Sequence, residues 1–325
     1  MQARKSFAQI GTMFKKFVIV HPRATAAMLF MEDLREWKRL SDWRTEAPGA
    51  FLLAPSQSGK THTVTTGYND RYLLPELRAS DRYSAHVPDD HILKLQKQVV
   101  YVKLPAKPQL GATATAILKA LEHTDPHKGT VGQRLHYVET LLANGKVELL
   151  ILDSYDHLTK TTNKRTEAEA TETQDTLKLL MEQGTPMLFV GLPDAKDDIL
   201  GDKQLKHRMF EIEFSPLSPE NEEDIESFTN YLKELDILMC CNGIFPDSSD
   251  LFEEKTRTNL FFSCRGQYGV LSNIVRDAAI LSSSRGGRRI EVEHLKTAVD
   301  TMVSKKLLTF NTFAPPTEID VRRAA

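Results

Sequence analysis

Gly59, Lys60 and Thr61 are adjacent residues that could together hold a polyphosphate and a metal ion. They follow the apolar run 51–53 and a loop of small residues, close to the pattern G-x-x-x-x-G-K-[ST]. A glycine lets the backbone approach the β-phosphate, and amide groups at the start of the next helix point at the anion. The lysine ammonium reaches the β- and γ-phosphates, and the threonine hydroxyl can join an octahedral Mg²⁺ shell. The predicted ATP-binding residues are Ala54, Pro55, Ser56, Gln57, Ser58, Gly59, Lys60, Thr61 and His62.

The first position of this pattern departs from the usual glycine. Ala54 stands there, which is acceptable if its φ angle is negative. The alternative is a polar turn that merely contains Gly-Lys-Thr. The apolar strand, the length of the loop and the helix start at Thr63 and Val64 all favour a phosphate loop.

A carboxylate at the end of a later apolar run completes the predicted metal site. Residues 149–152 are apolar and end in Asp153, which can hold a water molecule on the Mg²⁺. The predicted metal-binding residues are therefore Thr61 and Asp153. Ser154 follows directly, and a serine hydroxyl is a poor general base at neutral pH without an activating partner. Asp156 could act instead if the backbone turns sharply between the two residues.

Composition sets the frame for this site. A chain of 325 residues should form about two domains, each able to bury a core. Its net charge of -2 means that any binding of nucleic acid must come from a local basic patch. The 3 cysteines do not suggest a disulfide framework, and no long apolar run or signal peptide is visible. We expect a protein of the reducing cytoplasm that does not bind membranes.

Apolar runs alternate with helical stretches over the first two thirds of the chain. Besides the run before the phosphate loop, residues 99–104, 147–153, 187–191 and 210–214 fit buried strands. The alternation predicts an α/β domain with a five-stranded, mostly parallel sheet in three layers, with ligand at the carboxyl ends of the strands. Helical stretches alone follow. The predicted boundaries are an N-terminal segment 1–48, the α/β domain 49–215 with a surface insertion at about 69–98, a helical domain 216–308 and a flexible tail 309–325.

The first helix of the helical domain should open at Ser218. Serine, proline and glutamate in succession are typical of an N-cap, a first helical position and an acidic first turn. We therefore expect the first helix of this domain to run to about Leu235.

The order of these motifs resembles the AAA+ ATPases of bacterial transposons, specifically the TniB and TnsC proteins. The resemblance covers about residues 21–299 and begins at His21-Pro22-Arg23. It includes the segment 189–195, with its Gly-x-Pro-x-Ala pattern, and Gln204-Leu205-Lys206-His207-Arg208. It implies a P-loop AAA+ domain followed by a small helical lid. It further implies an ATP-dependent adaptor that oligomerises on double-stranded target DNA, recruits or activates a transposase and answers to a target-selector protein.

Three departures from this family concern catalysis. Members usually have glutamate where this chain has Ser154, and a polar residue where it has Leu192. The sensor arginine of a Gly-x-x-Arg helix start has no counterpart, because Gly266 is followed by Gln267, Tyr268 and Gly269. ATP binding is therefore better supported than hydrolysis, and we expect slow or absent turnover. The candidate catalytic residues are Asp153, Ser154, Asp156 and Arg208.

Arg208 is the candidate for a residue acting in a neighbouring subunit. In ring-forming relatives an arginine after the fourth strand stabilises charge on the γ-phosphate of the adjacent subunit. The alternative is a surface arginine paired with Glu211 or Glu213.

Loops after the second and third strands face DNA in such assemblies. Lysine and hydroxyl side chains there would bind phosphates without reading sequence, although ordinary solvated loops remain the alternative. The predicted DNA-binding residues are Lys103, Lys107, Thr115, Lys160 and Lys164.

Two other classes of function remain open from the sequence. One is an AAA+ loader or initiator ATPase of DNA replication, which would share the fold and most motifs. The other is a structural scaffold in which the nucleotide only joins subunits. Sedimentation with ATP, ADP and a non-hydrolysable analogue would separate a switch from a scaffold.

Overall fold

The chain is described by a computed structural model that covers residues 4–42, 45–80, 82–106, 109–158, 164–201 and 206–313. Its contacts divide it into two units. The sheet unit comprises residues 23–56 and 60–215, and the helical unit comprises the residues up to Pro22, residues 57–59 and the chain from Pro216 onward. The predicted N-terminal segment 1–48 is therefore shared between the two units.

The bounds of the elements follow chain order. The strands are β1 (Gly49–Leu53), β2 (Val99–Lys103), β3 (Leu149–Asp153), β4 (Met187–Gly191) and β5 (Met209–Glu211). The helices up to β5 are α1 (Phe7–Lys16), α2 (Pro22–Leu40), α3 (Lys60–His62), α4 (Leu74–Ala79), α5 (Asp89–Leu95), α6 (Leu110–Ala120), α7 (Val131–Asn144), α8 (Lys164–Glu182) and α9 (Lys196–Gly201). Those after it are α10 (Glu222–Cys241), α11 (Glu254–Cys264), α12 (Tyr268–Ser284) and α13 (Val292–Ser304).

The five strands form one parallel sheet in the order β2-β3-β4-β1-β5. The side chains of β3 and β4 are buried along their whole length, as expected for strands covered by helices on both faces. Leu53 pairs with Gly191, and Lys103 pairs with Asp153. The ends of β1, β2, β3 and β4 thus meet at one edge of the sheet, which confirms the predicted fold class.

The helical run after the phosphate loop is not a regular α-helix. After α3 it passes through two π-helical turns, Thr63–Gly67 and Asn69–Leu73, before α4. The Thr65 hydroxyl donates to the Thr61 carbonyl at 2.5 Å, so the side chain uses the acceptor that an α-helix reserves for a backbone amide. Such wide turns frequently occur near functional sites.

A buried arginine fixes α2 against this helical run. Arg35 is 0% exposed and donates to Glu32 at 2.7 Å, Tyr68 at 2.9 Å, Glu76 at 2.7 Å and Glu148 at 2.9 Å. Burial opposes its charge, but the surrounding acidic groups and the Tyr68 phenol outweigh burial and raise the Arg35 pKa. Removing one partner from such a buried network costs about 3–5 kcal/mol.

The segment 69–98, predicted as a surface insertion, also contributes side chains to the interior. Leu73 and Ile92 are 0% exposed and Leu77 is 2% exposed. Most of the polar residues of the segment lie on its outer face.

The helical unit has its own apolar core. Helices α10 to α13 enclose side chains such as Phe228, Leu271 and Ile274, and α1 adds Ile10 and Phe14. A capping box between Ser6 and Gln9 starts α1 just before these residues.

The N-cap predicted at Ser218 is wrong. The Ser218 hydroxyl instead accepts the Glu220 amide in a turn, and Asn221 caps α10 by accepting the amides of Glu223 and Asp224. The helix then runs to Cys241, six residues beyond the predicted end at Leu235.

The first residues of the predicted flexible tail are packed. Thr312 donates its hydroxyl to the Asn259 carbonyl at 2.7 Å, and Phe313 packs against the helical core. The rest of that tail, residues 314–325, lies outside the described residues. Within the described ranges no helix has the length and apolarity needed to span a membrane.

Candidate nucleotide site

The phosphate loop leaves the carboxyl end of β1 with two residues in left-handed backbone geometry. Gln57 has φ 62° and Gly59 has φ 100°, a region that glycine enters without steric cost. Ala54 is absent from the positive-φ residues of the described chain, so the departure from glycine is accommodated there. Ser58 is 5% exposed, whereas Ser56 and Thr61 are exposed.

The Lys60 side chain folds over the loop. Its ammonium donates to the carbonyls of Ala54 at 2.6 Å and Pro55 at 2.8 Å. Burial lowers the Lys60 pKa, while the carboxylates of Asp153 and Asp156 act in the opposite direction. Both carboxylates are therefore close enough for their charge to act on the ammonium that the loop presents.

Three donors hold the Asp153 carboxylate, which is 6% exposed. The hydroxyls of Thr61 and Tyr101 donate to Oδ2 at 2.7 and 2.6 Å, and the Ser154 amide donates to Oδ1 at 2.7 Å. The structure thus brings together the two predicted metal-binding residues. Tyr101 was missed by sequence analysis, although its position in β2, two residues before Lys103, puts it on the same strand face as a residue paired with Asp153.

The chain turns sharply after Asp153. Ser154 has φ 63°, and residues Tyr155–Leu158 form a 3₁₀ turn. Asp156 Oδ1 accepts the Leu192 amide at 3.2 Å, and a Cβ on Gly191 would lie 3.2 Å from that same oxygen. The turn on which the role of Asp156 depended is therefore present.

The donor set suits Mg²⁺. This ion prefers hard oxygen ligands and is usually held by one or two carboxylates together with substrate phosphates and water. Thr61 and Asp153 offer a hydroxyl and a carboxylate 2.7 Å apart at the start of the helical run. In the described part of the chain no three His, Cys, Asp or Glu side chains cluster as a metal site by themselves, so phosphate oxygens would have to supply further ligands.

Residues 57–59 pack within the helical unit against the first turns of α12. Asn273 donates its side-chain amide to Gln57 Oε1 at 3.0 Å. Gly269 stands where the sensor arginine is missing, and a Cβ there would lie 2.2 Å from the Gln57 carbonyl oxygen. Glycine at this position therefore permits a backbone approach that any side chain would prevent.

Arg208 lies away from the phosphate loop. Its carbonyl accepts the Gly49 amide at 3.0 Å, which puts Arg208 at the amino end of β1. The guanidinium forms ion pairs with Glu46 and, at 3.3 Å, with Glu182, rather than with the expected Glu211 or Glu213. Lys206 is exposed, whereas Gln204 and Leu205 lie outside the described residues.

The predicted DNA-binding residues are not all accessible. Lys103 is exposed at the end of β2, but Thr115 is 6% exposed, and its hydroxyl donates to the Gly111 carbonyl and accepts from Arg134 at 2.7 Å. A buried hydroxyl that already donates one hydrogen bond and accepts another cannot bind a phosphate. The predicted contact between Thr115 and DNA is therefore wrong. Lys107 and Lys160 lie outside the described residues. Lys164 begins α8, but its side chain also lies outside the described part of the structure.

A groove of about 910 Å³ opens beside Lys103. Lys119, exposed on α6, and Arg134 on α7 also line it, together with the first residues of both helices. Glu169 and Glu172 of α8 form part of the wall.

Comparisons with known proteins bear on this geometry. The chain resembles the Aeropyrum pernix ORC2 protein, solved as ADPNP–ADP complexes, with 14% identity, 84% of this chain and 67% of that chain covered and a TM-score of 0.55. It also resembles the Drosophila ORC bound to DNA, with 15% identity, 93% and 70% covered and a TM-score of 0.50. At these identities the likeness concerns the fold alone. No curated protein matches the sequence significantly.

A family model described as "Bacterial TniB protein" matches residues 9–218, which include the phosphate loop, Asp153 and Arg208. The chain therefore belongs to the TniB family, and its sheet and helical units have the fold of AAA+ ATPases.

Proposed function

We propose that this protein is an ATP-dependent, DNA-binding regulator of transposition that assembles on target DNA and recruits or activates a transposase. The observation that carries the proposal is the 2.7 Å hydrogen bond between Thr61 and Asp153, beside a lysine folded over the phosphate loop. Membership of the TniB family favours transposition over a role in replication. The same proposal places the protein in the bacterial cytoplasm and gives it a transposase and a target-selector protein as partners.

Nucleotide binding rests on residues with separate tasks. Lys60 would leave the loop carbonyls of Ala54 and Pro55 and bind the β- and γ-phosphates. Thr61 and Asp153 would hold Mg²⁺, and the ion would supply positive charge that neutralises the phosphates. Solved ORC2 contains ADPNP and ADP, which supports the choice of an adenine nucleotide.

Slow hydrolysis follows from the residues next to Asp153. Ser154 supplies no base, and the carboxylate closest in sequence, Asp156, already accepts the Leu192 amide. One of its oxygens is thereby oriented, while the carboxylate remains near enough to Lys60 to affect its pKa. We propose that Asp156 orients the attacking water less effectively than the usual glutamate, so that the ATP-bound state persists.

Contact with DNA is proposed at the groove beside Lys103. Lys103, Lys119 and Arg134 provide three cationic groups for phosphate oxygens, whereas Glu169 and Glu172 limit how far a polyanion can enter. Such contacts fix the position of a duplex without reading its bases, so binding should tolerate sequence changes and weaken with salt.

Assembly and nucleotide binding can be tested together. We would measure ATP binding by calorimetry, and sedimentation with ATP, ADP or a non-hydrolysable analogue, each with and without duplex DNA. Lys60→Ala should abolish ATP binding and assembly, whereas exposed Lys255→Ala, a matched control in α11, should behave as the parent. Assembly independent of the γ-phosphate would favour a scaffold, and absence of ATP binding by the parent would end the proposal.

The DNA contact has its own test. Lys103→Glu should lower the salt dependence of duplex binding by about one unit of slope, because each phosphate contact contributes roughly 0.9. Lys255→Glu changes the net charge equally and should leave the slope unchanged. Equal slopes for the parent and Lys103→Glu would remove this groove from the proposal.

A further inference from the structure

Tyr101 lies beside the carboxylate of the proposed Mg²⁺ site. In the parallel pairing of β2 with β3, Tyr101 stands opposite Ile151, while Lys103 stands opposite Asp153. Side chains two residues apart share a strand face, so the Tyr101 ring reaches diagonally along β3. Its hydroxyl meets Asp153 Oδ2 at 2.6 Å.

The phenol is a donor to this carboxylate. An ordinary tyrosine hydroxyl, with a pKa of about 10, carries its proton at neutral pH. A donor to an ionised acceptor makes a short, strong hydrogen bond, which fits the observed distance.

The remaining contacts leave one task to Tyr101. The Ser154 amide holds Oδ1 from the adjacent residue, and Thr61, itself a proposed metal ligand, shares Oδ2. Thr61 lies on the helical run that follows the phosphate loop. Tyr101 is thus the donor on Oδ2 that comes from the rigid sheet and not from a metal ligand.

We propose that Tyr101 is a positioning residue for Mg²⁺: it fixes the rotation of the Asp153 carboxylate so that the pair with Thr61 is ready for the ion. This inference rests on the proposed ATP and Mg²⁺ site. It adds a residue on β2 that acts on the metal through Asp153. Groups that orient metal ligands typically affect metal affinity by about 10–100-fold.

The expected effect of Tyr101→Phe is specific to the metal. Phenylalanine keeps the ring that packs on the sheet and removes only the hydroxyl. ATP affinity measured by calorimetry in EDTA should remain that of the parent. The Mg²⁺ concentration giving half of its enhancement of ATP affinity should rise about tenfold, because the carboxylate loses one orienting donor.

Two further variants make the result decisive. Tyr137→Phe removes an exposed phenol on α7 and should leave the Mg²⁺ midpoint unchanged. In an Asp153→Asn background, Tyr101→Phe should add no further shift, since its effect passes through the carboxylate. An unshifted midpoint in Tyr101→Phe, or an equal loss of ATP affinity in EDTA, would overturn this inference alone. Absence of ATP binding by the parent would overturn the proposed site and this inference with it.

Discussion

The chain turns sharply at the end of β3. Ser154 takes a left-handed conformation, and the 3₁₀ turn after it brings Asp156 against Gly191 and the Leu192 amide. The side chain of Asp156 is one methylene shorter than glutamate and lies two residues after Ser154, the position where the family usually has glutamate. The turn brings this shorter side chain back toward the phosphate loop. The negative charge of Asp156 acts to raise the pKa of Lys60, the residue proposed to contact the phosphates.

Asp156→Asn should therefore abolish whatever ATP turnover the protein has while ATP affinity changes little. An amide cannot accept a proton from water, and losing such a group typically costs about 10²–10⁴-fold in rate. Phosphate release with duplex DNA and ATP binding by calorimetry would measure the two effects separately. Ser154→Ala is the control for local packing and should retain turnover. The reverse pattern would make Ser154 the catalytic group.

His294 should make the free energy of unfolding depend on pH. His294 is 9% exposed, and its Nδ1 accepts the Glu291 amide at 3.0 Å in the cap of α13. Burial lowers the His294 pKa, and Arg285 lowers it further, against the opposing charges of Glu291 and Glu293. The unfolded chain thus takes up a proton before the folded one does as pH falls.

The free energy of unfolding should consequently decrease once pH falls below the ordinary histidine pKa of 6.5, and His294 should add no such dependence above it. Chemical denaturation of the parent and His294→Gln between pH 8 and about 5 would show a shallower decline in the variant. His86→Gln, at an exposed position, is the control. Parallel curves for the parent and His294→Gln would remove His294 as the cause.

At the scale of elements, the buried strands could be predicted from the sequence, because short continuous apolar runs are typical of strands that are covered on both faces. The cap of α10 was not, because Ser218 and Asn221 have similar capping chemistry and only the turn between them decides which one is used. The π-helical turns after α3 and the buried side of 69–98 both depend on the packing of this run against the rest of the domain. Neither leaves a periodic signal.

The site divides in the same way. Gly59, Lys60, Thr61 and Asp153 follow a local pattern that reflects what a phosphate and a metal ion require. Tyr101 and Asn273 contact these residues from distant parts of the chain, and their types alone indicate no such role. Thr115 was predicted from its position near a strand end, but α6 turns its hydroxyl toward Arg134.

The close approach of α12 to the phosphate loop at Gly269 can be tested by substitution. Gly269→Ala would place a Cβ 2.2 Å from the Gln57 carbonyl oxygen and 2.9 Å from its carbon, both parts of the backbone. Either the helix or residues 57–59 must shift, and overpacking of this kind costs about 1–3 kcal/mol. We expect weaker ATP binding by calorimetry, because the amides of the loop would leave their positions.

Gly132→Ala is the matched control for that experiment. Gly132 lies in α7, and among the described residues no atom outside its chain neighbours and its own helix backbone lies within 4 Å of the Cβ that alanine would add. ATP affinity should be unchanged in this variant. If Gly269→Ala also bound ATP like the parent, the approach of α12 to Gln57 would have no bearing on the loop.

At the scale of the whole molecule, Arg208 is the residue through which one subunit would act on the next. Within its own chain it pairs with Glu46 and Glu182, whose side chains are 49% and 40% exposed. Half-exposed ion pairs contribute about 0–1 kcal/mol, so a neighbouring γ-phosphate could compete for the guanidinium at low cost. Arg208→Ala should leave the free energy of unfolding nearly unchanged and abolish ATP-dependent assembly on DNA.

Mixing two inactive variants tests whether that action occurs between subunits. Lys60→Ala lacks the nucleotide contact but keeps Arg208, whereas Arg208→Ala has the opposite defect. In a head-to-tail assembly a mixed pair restores one intact interface, while the next interface along lacks both groups. Sedimentation with ATP and duplex DNA should therefore detect paired subunits in the mixture and neither pairs nor longer assemblies in each variant alone. Normal assembly of Arg208→Ala by itself would mean that Arg208 serves only its intrachain ion pairs.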